Sequence, residues 1–407
     1  MSAPRYRWAV LALGALSTAA MAATQSGLPA LGPAFQDGYG LELVEVTAVF
    51  TAFGLGTVAT VYAWGALADR IGERLVLALG PLAGAAVLVV VASTGGYPAL
   101  LAGVFVAGVF AAAATSGSGR AVFGWFPRHE RGLALGLRQT AVPVGAAAAS
   151  FSLPALALAT SLDVALIAMA ALLAISALAA AVWLREPPPR RSAAPPAPPV
   201  ARDPRIWRLG AASALLIVGQ VGVTSLLVLY LFSERGWSAT EAAAALGVVQ
   251  LGGAVARIAA GRWSDRRDDR IGPFRLLAGV AGAVLAAAAL TVGAPSGVFV
   301  PLLMAGGVLA MSWNGLSFTA AAEISGGTQA GRAMGLQNTL MRAAAAAAPL
   351  ALGALAAGVS WQLAFLVMAA GPLAGAALLG PLAVDEDRRR RERRARLSLE
   401  PTIPADA

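Results

Sequence analysis

Arg342, Arg138 and Arg120 stand alone in stretches made otherwise of Ala, Val, Leu and Gly. A guanidinium stays charged and presents a planar fork of donors that fits carboxylate or phosphate. Arg342 is eleven residues past Gly331, about 16 Å into its segment, and Arg120 and Arg138 lie about 8–10 Å in. Holding such a group inside a bilayer costs at least about 2.5 kcal/mol. No Asp or Glu lies at comparable depth to offset that cost. The chemistry open to these residues is therefore the binding of an anion. Arg342 shares one helical stripe with Asn338, Gly335 and Gly331, and Gln139 follows Arg138. A fourth arginine, Arg257, lies eight residues before Asp265 and is expected to be structural, its long side chain snorkelling to the surface.

Polar uncharged residues recur at similar depth. Thr18 and Gln25 are seven apart and share a face, as do Ser213, Gln220 and Thr224. Thr115, Ser116 and Ser118 cluster in another segment, and Ser312, Asn314 and Ser317 in a further one. Ser116 and Asn314 fall roughly 14–15 Å deep. Each hydroxyl can equally serve as helix–helix glue, and Trp313 can stack on a ligand or simply pack. Catalytic chemistry lacks its groups. There is no Cys, the one His is His129 in a short charged loop, and no acid pair sits at depth. No enzyme activity, cofactor or metal site is expected.

These residues need elements that carry them through lipid. The 407-residue chain is 58% hydrophobic and 13% charged, against about 25% charged in soluble domains. Its charges fall in clumps between apolar runs of roughly 20 residues, each long enough to cross a bilayer as a helix. Twelve spans are expected: Trp8–Leu31, Val44–Leu67, Leu75–Thr94, Pro98–Phe126, Leu133–Ala157, Asp163–Leu184, Ile206–Phe232, Glu241–Trp263, Phe274–Val292, Val298–Ala322, Ala333–Ala357 and Trp361–Leu382. All thirty basic residues are Arg. With the N-terminus inside, inside segments and the span ends beside them hold 25 of them, and outside loops only Arg235. Positive loops stay in the cytoplasm, so both termini are expected there, in a multi-pass protein of the cell membrane. The same distribution accounts for the basic pI without nucleic acid. Residues 185–205 read as a Pro- and Arg-rich cytoplasmic linker, and 385–407 as a solvated basic tail.

The two parts flanking the linker, 1–184 and 206–384, repeat each other. "GALADR" at Gly65–Arg70 recurs as "GRWSDR" at Gly261–Arg266. Gly132, Gly136 and Leu137 match Gly331, Gly335 and Leu336, and Gln25 matches Gln220. Ser116 corresponds to Asn314. The offset grows in order, from 195 to 199, where chance matches would scatter. Each half has six spans, so the copies run parallel, as in transporters whose halves rock about a midplane site.

"GALADRIGERL", Gly65 to Leu75, resembles the signature loop between the second and third helices of the major facilitator superfamily. Gly65, Leu67, Ala68, Asp69, Arg70 and Gly72 fit that pattern, while Glu73 stands where a basic residue is usual. The resemblance covers essentially the whole chain. It implies an all-α fold of two six-helix bundles and a secondary transporter without an ATP site. It also implies that helices one, four, seven and ten line a central cavity. Gly65 is then expected to let helices approach closely, and Asp69 to cap the start of the eleventh helix near Gly331. Gly261, Asp265 and Arg266 are expected to do the same for the fifth helix near Gly132. Together with Arg70 and Gly72 they would latch the halves on the cytoplasmic side in the outward-open state.

Two functions remain open on these residues. The first is transport of a small organic or inorganic anion. The second is proton-coupled export of drugs or secondary metabolites. Drug antiporters of that family carry an intramembrane acid and a fifth-helix G-P-x-x-G-G pattern. Here the acid is missing, and "AVPVGA" keeps only Pro143 and Gly145. The expected partners are a small anion, a coupling proton or ion, and the bilayer around a monomer.

Overall fold

The computed structural model describes residues 3–126, 130–185, 202–325 and 330–399; of Asp69 and Arg120 it describes the backbone, which is helical, and not the side chain. All regular structure among the described residues is helix. Lipid offers backbone groups no partner, so each crossing segment must satisfy its own N–H and C=O ladder. Fifteen helices do so: α1 Ala3–Ala30, α2 Gly32–Tyr39, α3 Leu43–Ile71, α4 Glu73–Thr94, α5 Tyr97–Trp125, α6 Arg131–Ala159 and α7 Leu162–Trp183. After the linker follow α8 Pro204–Arg235, α9 Ala239–Arg267, α10 Ile271–Leu290, α11 Ser296–Ala310, α12 Asn314–Ile324, α13 Ala330–Gly358, α14 Trp361–Leu378 and α15 Gly380–Leu399. They make twelve segments long and apolar enough to span a membrane.

The tenth span departs from the single helix expected. It breaks into α11 and α12, and Met311–Trp313 lie outside both. Twelve crossings return the chain to its starting side, so both ends and the α7–α8 connection share one face, here the terminal face. On the opposite face short polar caps start the helices. Ser161 Oγ accepts from Val164 N, Ser360 Oγ from Leu363 N, and Ser238 forms a reciprocal box with Glu241. Arg235 is tied down on this face. Its guanidinium donates to the carbonyls of Ala294 (2.9 Å) and Val292 and to Tyr230 Oη (3.0 Å). A cation at the carbonyl end of α10 is favourable, which gives the arginine on this face a local reason to be there. On the terminal face Asp203 caps α8, and hydrogen bonds from Arg205 hold its carboxyl below the usual carboxylate range.

The chain beyond Asp385 is not the free tail expected from its charge. The α15 helix runs on to Leu399, and Glu386 lies over the start of α10. Its two oxygens accept from Arg270 N (2.9 Å) and Ile271 N (2.7 Å). Arg390 pairs with Asp269 at 3.2 Å and donates to the Arg267 carbonyl at 2.6 Å. The exposed N–H groups of α10 attract the carboxylate, so the first turns of the charge run are docked.

The halves before and after the linker meet chiefly through α3 against α13 and α6 against α9. Contact is close towards the opposite face. A Cβ on Gly54 would lie 3.2 Å from Ala346 Cβ, and one on Gly353 would strike Thr47. Leu350 N donates to Thr51 Oγ1 at 3.0 Å, and Phe151 lies against Gly247. Gly65 is eleven residues from Gly54, three turns along the same face, and Gly335 is eleven from Ala346. Among the described residues neither has any atom outside its own helix within 4 Å of its Cβ position, and Gly261, four turns from Gly247, has none either. The halves therefore part in a cleft open to the terminal face.

Candidate functional site

In the first half, α1, α5 and α6 converge on Arg138. Its Nη1 donates to Ser118 Oγ (2.8 Å) and Thr18 Oγ1 (3.3 Å), and Nη2 to Gln139 Oε1 (3.3 Å). The two hydroxyls are 3.2 Å apart. Arg138 is 8% exposed, and among the described residues its Nε is buried without a hydrogen-bond partner and every partner it has is neutral.

The second half builds the same knot from α8, α12 and α13. Gln337 Nε2 donates to Ser213 Oγ (3.1 Å) and to Ser317 Oγ, and these hydroxyls are 2.7 Å apart. Gln337 is the repeat partner of Arg138 at the offset of 199 that relates Gly136 to Gly335. Carrying that alignment two residues further reveals it in the sequence. Periodicity alone passes over it, because a neutral Gln carries no depth penalty to flag.

A second polar layer exists in the second half. Asn314 Nδ2 donates to Gln220 Oε1 at 3.2 Å, and Arg257 Nη2 reaches Asn314 Oδ1 at 3.5 Å. Arg257 Nε donates to the Met311 carbonyl at 3.2 Å. That carbonyl is free because the helix breaks there, and irregular backbone at membrane depth needs such a partner. Arg257 thus points inward to the break between α11 and α12. The snorkelling expected of it does not occur. In the first half the corresponding Ser116 Oγ donates to the Val61 carbonyl at 2.8 Å, tying α5 to α3. Val61 occupies the place of Arg257.

Arg342 lies on α13 one turn from Ala346, where close contact between the halves ends. It is half-buried, and its Nε is shielded without a hydrogen-bond partner among the described residues. Its repeat counterpart is Pro143.

The remaining expected residues divide. Asn338 is half-buried on the Arg342 stripe and borders the cleft through Gly335. Gln25 is exposed and, unlike its counterpart Gln220, joins none of these knots. Ser116 bonds backbone, as glue does. Trp313 is 1% exposed and stacks on Phe274 with ring centroids 5.4 Å apart, so it packs. At the terminal face Arg70 and Arg266 are exposed, and Asp265 pairs with Arg270, which also pairs with Glu323 at 3.0 Å. Close helix approach at Gly65 and Gly261 is absent in this conformation. Gly72, at φ 88°, turns the chain from α3 into α4. Arg74 donates to the Ala181 carbonyl at 2.9 Å, near the end of α7. His129 lies outside the described residues.

Twelve spans, a duplicated half and a polar cleft between the copies define a membrane transporter. The chain belongs to the Major Facilitator Superfamily, whose sequence model matches residues 13–349. It is 35% identical over 379 residues to the uncharacterized MFS-type transporter Rv2994 of Mycobacterium tuberculosis, covering 92% of this chain and 84% of that protein. A shorter match, 31% over 134 residues, joins 31% of this chain to 30% of the probable galactarate/D-glucarate transporter GudP of Bacillus subtilis. Among solved structures, the inward-facing, unoccupied bacterial homolog of the human lysosomal transporter Spinster superposes with a TM-score of 0.71 at 14% identity. That match covers 94% of this chain and 96% of the other. The nucleoside transporter NupG gives 0.71 at 16% identity, over 91% and 98%. These two share the fold.

Proposed function

We propose that this protein moves a small organic or inorganic anion across the cytoplasmic membrane by alternating access. The observation that carries the reading is the internal comparison of the halves. Arg138 and Arg342 correspond to Gln337 and Pro143, so the repeated scaffold is complete at both places without a cation, whereas Arg257, in the place of Val61, serves the carbonyl freed by the helix break. Two guanidiniums are added to it, and every Asp and Glu of the chain lies at a span end or outside the spans. Charge retained in lipid against a cost of at least about 2.5 kcal/mol per group is explained by a ligand that neutralises it. The partial likeness to GudP, named for sugar acids, supports the same class.

The halves 1–184 and 206–384 would rock as units about this site, with both termini and the linker in the cytoplasm, so the cleft described above is the inward-open state. In the outward-open state Asp69 and Asp265 would cap α13 and α6 with Arg70 and Arg266 nearby, and Gly65, Gly72 and Gly261 would sit where the helices close. The protein would act as a monomer. A coupling proton has no intramembrane acid or His to ride on, so it would travel on the cargo or not at all.

Uptake into proteoliposomes of matched anions, neutral analogues and cations, with and without a proton gradient, tests the reading. Saturable uptake of anions alone is expected. Uptake of cations driven by a proton gradient would replace it with the exporter. Labelling Arg391→Cys from the cytoplasm only, and Ser238→Cys from outside only, tests the orientation.

A further inference from the structure

We infer that the cargo is an organic dianion whose two acidic groups are held by different halves, one by Arg138 and the other by Arg342. This deepens the anion reading and rests on it. The first ground is position. The place of Arg138 in the second half is 337, so Arg342 lies five residues further along the equivalent helix, about 7–8 Å deeper. The two charges therefore belong to separate helices, separate halves and separate depths.

The second ground is charge. Like charges repel, so two guanidiniums lining one cavity cost energy in the empty protein. Among the described residues Arg138 hydrogen-bonds only to hydroxyls and an amide, and both side chains keep a buried Nε without a partner. A single acidic group answers one fork and leaves the other uncompensated. Two acidic groups on one molecule answer both.

The third ground is what the empty places show. Gln337 holds the equivalent pair of hydroxyls, Ser213 and Ser317, so a knot of this kind, as at α1, α5 and α6, does not need the positive charge. Pro143, at the place of Arg342, makes no such contact at all. Each half has gained a cation at a different position. That is the pattern expected if each contacts a different end of a shared ligand. A cargo gripped by both halves also links their closure, because only a molecule long enough to touch both charges favours the state in which they approach.

The test uses the purified full-length protein and compares acids matched in carbon count. Thermal stabilisation is measured with succinate against butyrate, glutarate against valerate, and adipate against hexanoate, with inorganic phosphate, succinamide and putrescine alongside. At least one dicarboxylate is expected to stabilise at a concentration about tenfold or more below its monocarboxylate. In Arg138→Gln and in Arg342→Gln that ratio should fall to about one, since each leaves a single fork. Size-exclusion profiles of both variants report folding, and the wild-type series stands independently of them. Equal stabilisation by mono- and dicarboxylates, or by phosphate alone, overturns the dianion and leaves the anion reading in place. No stabilisation by any dicarboxylate also overturns it. Stabilisation by putrescine or succinamide alone overturns both.

Discussion

Arg138 and Gln337 hold equivalent places in the two halves, each bridging one hydroxyl from the first helix of its half and one from the fourth. One is charged and one is neutral, yet the knots agree: Thr18 and Ser118 are 3.2 Å apart, Ser213 and Ser317 2.7 Å. The protein thereby contains its own control for what the charge contributes to structure.

Arg138→Gln should therefore cost little stability, because the second half already uses Gln at this place. Arg138→Leu removes the donors and leaves buried hydroxyls less well satisfied, a loss of about 1–3 kcal/mol. Melting of the two variants in detergent checks this. Equal, large losses in both would mean that the charge itself holds the first half together.

Much of this architecture is legible in the chain. Apolar runs, arginine-rich loops and the ordered offset between Gly65–Arg70 and Gly261–Arg266 give twelve spans and a parallel repeat on physical grounds, since lipid admits few alternatives. Less legible is where each polar side chain turns. Ser116 and Asn314 align in the repeat, but Ser116 can reach a backbone carbonyl on α3 while Asn314 has arms for both Gln220 and Arg257. Arg257 could not be placed from depth alone, because its main partner is a carbonyl exposed by a helix break that periodicity does not mark. The docking of Glu386 on α10 is hidden in a run of charges that reads as solvated.

The divergence of α3 from α13 predicts which cysteine pairs will cross-link. The chain has no native Cys. Gly54→Cys with Ala346→Cys places Cβ atoms near the roughly 3.5–4.5 Å that a disulfide needs. This pair should link in the resting protein and stop transport until reduced. Gly65→Cys with Gly335→Cys should link only during turnover, when the cleft closes. Efficient linking of the second pair at rest would contradict an open terminal face.

Arg270 holds Asp265 in the open cleft. If Asp265 must leave it to reach α6, Arg270→Gln should favour closure by about 0.2–1 kcal/mol, the range for a solvent-screened ion pair. Maleimide labelling of Gly335→Cys should then slow. Asp265→Asn should have the opposite effect, and Asp69→Asn should slow turnover while leaving cargo affinity largely intact. Unchanged labelling in Arg270→Gln would mean that the Asp265–Arg270 pair only braces the loop.

The pH dependence of transport should follow the cargo. No Asp, Glu or His lies within the spans at the depth of the arginines, and arginine stays protonated throughout the physiological range. Uptake of an anion that remains ionised should be nearly flat between about pH 5 and 8, the interval in which a histidine switch would act. A sharp transition for such an anion would reveal a titrating group that the spans lack.

The most direct measurement is the affinity of the wild type and of Arg342→Gln for an anion shown to be transported, with folding of the variant verified by monodispersity. Losing a buried charge-assisted pair should weaken binding by about 2–5 kcal/mol, or roughly thirtyfold and more, and Arg342→Lys should fall between, keeping charge without the planar fork. Wild-type affinity in a folded Arg342→Gln protein, or a transported cargo that is cationic, would contradict the account.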